Sequence, residues 1–143
     1  MGNTSLAQKI MPLIGAFYVL IGVAGFFVTG FGNFVANTDD AVLGFSVNPF
    51  HNVVHLAIGA FLIILSQQSA SAAEGGCMGV GLFYVVAFVI GVVGTANLTI
   101  ISMFGRGDLE NFNHLLNGVL LLGLGLISTA STASREKRSG VPA

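Results

Sequence analysis

Four stretches of this 143-residue chain are long and apolar enough to cross a lipid bilayer as helices. They cover approximately residues 10–31, 49–66, 78–100 and 109–132. A membrane-spanning helix needs about 20 residues to cross the hydrocarbon core. Charged residues make up only 8% of the chain and its mean hydropathy is +0.88, values outside the range of soluble domains. The sequence therefore predicts one all-α transmembrane domain, with a polar, frayed tail over residues 134–143.

The chain also contains an internal repeat. The segment Gly15-Ala-Phe-Tyr-Val19 matches Gly81-Leu-Phe-Tyr-Val85, and His55-Leu-Ala-Ile-Gly59 matches His114-Leu-Leu-Asn-Gly118. Each half contains two predicted helices, so both halves start on the same side of the membrane and are related by an axis along its normal. The predicted fold is an up-down-up-down four-helix bundle built from two parallel two-helix repeats, residues 10–66 and 78–132.

Glycine is frequent inside the predicted helices. In membranes, small residues allow helix backbones to approach closely. We therefore interpret the helix glycines as packing positions, among them Gly22, Gly59, Gly118, Gly123 and Gly125. Tyr18 and Tyr84, which occupy equivalent places in the repeat, are also interpreted as packing residues.

The sharpest local motif is Asn48-Pro-Phe-His51-Asn-Val-Val-His55. Asparagine is a favoured helix N-cap, and proline is favoured at the first helical position. The second helix is therefore predicted to begin at Pro49. His51 and His55 then lie four residues apart on one face of this helix, in successive turns.

Aligning His114 with His55 places Glu110 opposite His51. One repeat thus supplies H-x-x-x-H and the other E-x-x-x-H, both with a spacing that lets two side chains of one helix converge on a single ion. The candidate site consists of His51, His55, Glu110 and His114.

Two ligand chemistries fit this cluster. All four residues together could bind a divalent transition metal such as Zn, Fe or Cu. Alternatively, His55 and His114 alone could be axial ligands of a haem or of the magnesium in a chlorin. A third interpretation has no ligand, because surface histidines bind water or loop carbonyls and Glu110 is a favoured acid in a first helical turn.

Two asparagines are predicted to lie near the cluster. Asn97, near the end of the third helix, and Asn117, one turn after His114, could donate hydrogen bonds to a histidine that binds the ligand. Either side chain could instead link two helices by an interhelical hydrogen bond.

The basic residues predict the orientation of the chain. Lys9 precedes the first helix and Arg135, Lys137 and Arg138 follow the fourth, whereas the loops on the opposite side carry only Arg106. By the positive-inside rule both termini are predicted to be cytoplasmic. The histidines are then predicted to face the outer side of the membrane.

Several function classes are excluded or disfavoured. A formal net charge of −1 offers no basic surface for nucleic acid. The single cysteine, Cys77, cannot form an internal disulfide. The sequence shows no nucleophile with a paired base and no phosphate-binding loop, so we predict a non-enzymatic protein. It either binds a metal or tetrapyrrole, or is an accessory subunit of a larger respiratory or photosynthetic membrane complex with no ligand of its own. Its expected partners are the lipid bilayer and either such a complex or further copies of the same chain.

The motif Asn48-Pro-x-His51-Asn-x-x-His55-Leu-x-x-Gly59, with Asn113-His114-Leu-x-x-Gly118 in the second half, resembles a bacterial family of small four-helix membrane proteins that is classed as a domain of unknown function. The resemblance covers nearly the whole chain. It implies a four-helix bundle in a bacterial inner or photosynthetic membrane, and it supplies no activity.

Overall fold

The computed structural model describes residues 4–93, 99–101 and 106–140. Its main elements are α1 (Leu6–Thr29), α2 (Pro49–Ser66), α3 (Ala70–Val93) and α4 (Leu109–Ser139). Between α1 and α2 lies an antiparallel hairpin of β1 (Ala41–Val42) and β2 (Phe45–Ser46), and a short 3-10 turn (Thr99–Ile101) precedes α4. All four helices are long and apolar enough to cross a membrane. The predicted all-α four-helix bundle is confirmed.

The bundle consists of two tightly packed helix pairs, α1 with α2 and α3 with α4, while α2 and α4 lie diagonally opposite each other. We call the end that carries the start of α1, the α2–α3 turn and the end of α4 the terminal end. The opposite end, which carries the β-hairpin and the starts of α2 and α4, is the hairpin end.

Two helices begin earlier than predicted. α1 begins at Leu6, four residues early, because Ser5 and Gln8 form a capping box there. α3 begins at Ala70 rather than near residue 78, and the Ser69 hydroxyl accepts a hydrogen bond from the Ala72 backbone N–H. A hydroxyl that accepts from a first-turn amide is a typical N-cap. The segment left between the second and third predicted helices, residues 67–77, is therefore mostly helix, and α2 and α3 are joined by a three-residue turn.

The tail predicted to be frayed is also helical, since α4 continues to Ser139. The hydroxyls of Ser131 and Ser134 donate to carbonyl groups one turn earlier. Lys137 and Arg138 lie in the last turn, where positive charge interacts favourably with the helix dipole. These local interactions stabilise a polar helix end that apolar periodicity alone does not reveal.

The two helix pairs bury equivalent positions, as the repeat predicts. The α1 residues Ala7, Met11, Gly15 and Tyr18 are buried, and so are the α3 residues 66 positions later, Ala73, Cys77, Gly81 and Tyr84. In α2 and α4 the buried positions match at an offset of 59, from His51, Asn52, His55, Gly59 and Leu62 to Glu110, Asn111, His114, Gly118 and Leu121. The same face of each unit therefore points toward the bundle axis.

Glycines make the contact within each helix pair. A Cβ atom added to Gly15 would lie 2.6 Å from the Gly59 carbonyl oxygen, and one added to Gly118 would lie 3.1 Å from the Gly81 carbonyl oxygen. Only glycine allows backbones this close. The packing interpretation is confirmed at Gly22, Gly59, Gly118 and Gly125. It is wrong at Gly123, where no atom of the described residues lies within 4 Å of an added Cβ.

A buried carboxylate links three helices at the terminal end. Glu74, which the prediction placed in a loop, lies in α3 with only 5% of its surface exposed. Its carboxylate accepts hydrogen bonds from the hydroxyls of Ser128 (2.8 Å), Thr129 (3.2 Å) and Thr132 (2.8 Å) of α4. The Ser128 hydroxyl oxygen also accepts from the backbone N–H of Ala7 in α1, at 3.0 Å. α1, α3 and α4 are therefore held together here by one polar network.

We expect Gly59→Ala to destabilise the protein by about 1–3 kcal/mol, because the added methyl group forces α1 away from α2. Gly118→Ala tests the equivalent contact of the second pair and should have a similar effect. The control is Gly123→Ala, which adds a methyl group in open space and should not destabilise the protein, because alanine is a better helix former than glycine by about 0.5–1 kcal/mol. Thermal unfolding of the detergent-purified proteins measures the difference. Equal stability of the three variants would contradict the proposed packing.

We expect Glu74→Ala to lower the unfolding free energy by at least about 2 kcal/mol, because three hydroxyls lose a charged acceptor. Glu74→Gln retains one acceptor oxygen and should cost less. Glu136→Ala removes a carboxylate from the last turn of α4 and serves as the control, with a change below about 0.5 kcal/mol. If Glu74→Ala is as stable as this control, the network does not hold the three helices together.

Candidate metal centre

Asn48 fixes the start of α2 and the first histidine of the site. Its side-chain oxygen accepts a hydrogen bond from the His51 backbone N–H at 2.8 Å, and Pro49 follows as the first helical residue, as predicted. The Asn48 amide group donates to the carbonyl oxygens of Ala36 and Ile100, each at 3.0 Å. The Asn48 side chain thus connects the start of α2 to the segment before the β-hairpin and to the 3-10 turn before α4. His51 is held in the first turn of α2.

Asp108 has the same role at the start of α4. Its carboxylate accepts a hydrogen bond from the Glu110 backbone N–H at 3.0 Å. The Asn111 amide donates to the Arg106 carbonyl oxygen at 3.3 Å. Glu110 is therefore held in the first turn of α4, and His114 follows one turn deeper in the bundle.

Three of the four predicted site residues meet at the bundle axis. Oε1 of Glu110 lies 3.6 Å from Nε2 of His51 and 3.8 Å from Nε2 of His114. One donor atom from each of the three residues lies within 4.8 Å of the other two. The exposed fractions are 2% for His51, 1% for Glu110 and 3% for His114. The diagonal helices α2 and α4 therefore bring two imidazoles and one carboxylate into a single buried cluster.

This cluster is not a hydrogen-bonded network. Both imidazole–carboxylate distances exceed the 2.7–3.2 Å of N–H···O hydrogen bonds. Within the described part of the chain, Oε2 of Glu110 and Nδ1 of His114 are buried without a hydrogen-bond partner. Buried polar atoms in proteins almost always have partners. Nitrogen and oxygen atoms that converge in this way without bonding to one another could hold a metal ion.

His55 lies next to this cluster but outside it. Its ring centroid is 4.5 Å from that of His51, yet His55 does not belong to the three-residue group whose donor atoms converge. Its Nδ1 is buried and has no hydrogen-bond partner among residues 4–93, 99–101 and 106–140. The predicted quartet is thus a group of three with His55 as a neighbour, because His55 lies one helical turn further from the start of α2.

Two tyrosines that the sequence analysis assigned to packing lie against the histidines. The rings of Tyr18 and Tyr84 stack with their centroids 5.9 Å apart. Tyr18 lies 5.6 Å from the His55 ring, and Tyr84 lies 5.4 Å from the His114 ring. The two contacts are equivalent under the repeat. The recurrence of Phe-Tyr in both halves was therefore the sequence signal that could have placed the tyrosines at the site.

Two asparagines, Asn97 and Asn117, were predicted to lie near the cluster. Asn117 accepts a hydrogen bond from the Tyr18 hydroxyl at 2.9 Å, and its amide donates to the Asn113 carbonyl oxygen at 2.8 Å. Its hydrogen bonds thus connect it to Tyr18 and to its own helix rather than to a histidine. Asn97 lies outside the described residues.

The family described as a domain of unknown function (DUF4383) matches residues 8–127. The chain belongs to this family. Neither a curated protein nor a solved structure matches it. The three converging residues and His55 all lie within the part of the chain that DUF4383 covers.

The geometry of this DUF4383 protein does not fit the predicted bis-histidine haem or chlorin. A macrocycle with His55 and His114 as axial ligands must lie between their rings. Instead, other rings lie between the two histidines. The centroid of the His51 ring is 4.5 Å from that of His55 and 6.3 Å from that of His114. The stacked rings of Tyr18 and Tyr84 also pack against the two histidines. The adjoining cavity holds about 170 Å³, whereas pockets for drug-sized ligands hold about 300–1,000 Å³. The tetrapyrrole interpretation is therefore not supported.

Proposed function

We propose that this DUF4383 protein binds one divalent first-row transition metal through His51, Glu110 and His114. The observation that supports the proposal is the position of Glu110 Oε1, 3.6 Å and 3.8 Å from two imidazole nitrogens in a buried cluster. In a tetrahedral site with bonds of about 2.0–2.1 Å, ligand atoms lie about 3.3 Å apart. Side-chain movements of less than about 1 Å would therefore bring these two contacts to bonding geometry.

The donor set favours particular metals. Two imidazoles and one carboxylate are the protein ligands of many zinc sites and of non-haem Fe(II) sites. Calcium and magnesium instead prefer shells made of oxygen atoms. The Glu110 carboxylate also compensates part of the ionic charge, which matters because an unpaired charge is costly in a buried site. The proposal is for binding alone and assigns no reaction.

The position of the site in the membrane follows from the distribution of charge. Lys9, Arg135, Lys137 and Arg138 belong to the terminal end, while Arg106 belongs to the hairpin end. α4 has 31 residues and is about 46 Å long at 1.5 Å per residue, so its basic end extends beyond a hydrocarbon core of about 30 Å. We propose that the terminal end is cytoplasmic and that the metal centre faces the periplasm or a lumen of a bacterial membrane.

We expect the purified protein to bind one Zn²⁺ or Co²⁺ per chain after treatment with a chelator and reloading. His51→Ala, Glu110→Gln and His114→Ala each remove a direct bond to the metal and should lower the affinity at least about 100-fold, since even indirect partners of metal sites contribute about 10- to 100-fold. Elemental analysis and Co²⁺ absorption measure binding, and unfolding of the metal-free proteins confirms that the variants fold.

His55→Ala is the matched control, because His55 lies beside the cluster without belonging to it. It should keep the bound metal. The metal proposal is wrong if the wild-type protein binds no metal, or if the three ligand variants bind as tightly as wild type. In either case, the role of an accessory subunit in a larger membrane complex becomes the better proposal.

We expect both termini to be cytoplasmic. With Cys77, which is buried, replaced by serine, new cysteines are introduced at the exposed positions Asp39 and Ser139. In intact cells a membrane-impermeant maleimide should label Asp39→Cys, and it should label Ser139→Cys only after permeabilisation. The reverse pattern would show that the metal centre faces the cytoplasm.

A further inference from the structure

A cavity of about 170 Å³ adjoins the metal centre between α1 and α4. Its polar lining residues are Tyr18, His55, Tyr84, Glu110, Asn113 and Asn117. Residues of the β-hairpin and of α1 complete the wall with apolar side chains. Glu110 is the residue that the cavity and the metal centre share.

The volume limits what the cavity can hold. Its accessible space of about 170 Å³ is less than that of pockets for drug-sized ligands, which hold about 300–1,000 Å³. The cavity therefore suits a molecule of a few non-hydrogen atoms.

The charge of the proposed centre selects among small molecules. A divalent metal with one carboxylate ligand and two neutral imidazoles carries a net charge of +1. Such a charge in a buried site is stabilised by an anion. Sites with three protein ligands also leave coordination positions for an external ligand. A small monoanion fits the volume of the cavity, neutralises the charge of the proposed metal centre and can occupy an open coordination position of the metal.

His55 is the residue suited to orient this ligand. It lines the cavity and is only 9% exposed. Its Nδ1 is fully buried, so the ring nitrogen that is left to face the cavity is Nε2. An imidazole N–H can donate a charge-assisted hydrogen bond to an anion. His55 thus takes a positioning role beside the metal in place of the ligand role that its sequence spacing predicts.

We propose that the cavity admits a small inorganic monoanion to an open coordination position of the bound metal, with His55 as a hydrogen-bond donor to that anion. This inference rests on the proposed metal binding. It assigns the cavity a class of ligand and gives His55 a role distinct from those of His51, Glu110 and His114.

The test uses the Co²⁺-loaded protein in detergent and titrates it with azide. We expect a saturable change in the visible Co²⁺ spectrum of the wild-type protein. In His55→Phe the metal should be retained while the azide affinity falls about 10-fold or more, as expected for a lost hydrogen bond to a charged group. The Co²⁺ content of each sample is measured in parallel.

A second pair of variants tests the cavity itself. Ile21 lines the cavity, so Ile21→Phe should fill it and abolish the azide response while Co²⁺ stays bound. Ile90→Phe makes the same change on the exposed surface of α3 and should leave the response unchanged. Azide binding that is equal in wild type, His55→Phe and Ile21→Phe would place the anion elsewhere and overturn the inference.

The two proposals fail in different ways. A wild-type protein that binds no Co²⁺ overturns both. A protein that binds Co²⁺ through His51, Glu110 and His114 but whose spectrum does not respond to azide overturns only the inference about the cavity.

Discussion

Close contact between helix backbones is the interaction on which the rest of this structure depends. In a bilayer, apolar side chains gain little by leaving lipid for protein, so helices associate through close packing and interhelical hydrogen bonds. The pairs Gly15–Gly59 and Gly81–Gly118 provide that packing. Because these contacts form two separate pairs, α2 and α4 stay on opposite sides of the axis. Their polar side chains meet across the space between the pairs, and the cluster forms there.

Much of the fold follows from apolar length and from the repeat, because both are properties of single segments. The start of α2 at Pro49 was predictable for the same reason, since an asparagine cap acts locally. The beginning of α3 was not, because the segment that contains Glu74 is rich in small and polar residues and resembles a loop. Its helix is stabilised by Ser128, Thr129 and Thr132, which are distant in sequence, so no pattern within α3 reveals them.

The residues of the cluster were partly predictable from the sequence, and their geometry was less so. Alignment of the repeats identified Glu110 as the partner of His51, and these residues converge with His114. Spacing alone could not separate His55 from the three converging residues, because residues four apart lie on the same helix face whatever their distance from the opposite helix. Sequence spacing also could not predict that Tyr18 and Tyr84 contact the histidines. Their contact with the histidines depends on how the two pairs dock, which is a property of the whole bundle.

The repeat has a further consequence for the chemistry at its axis. A homodimer of two-helix chains can present only matched residues across a twofold axis, so two histidines or two glutamates would face each other. Joining both units in one polypeptide removes that restriction. A histidine at position 51 can then face a glutamate at position 110, so a single carboxyl group lies between the two halves of the repeat. Covalent fusion thus permits an odd number of carboxyl groups at the axis, where the symmetry of a homodimer would enforce an even number.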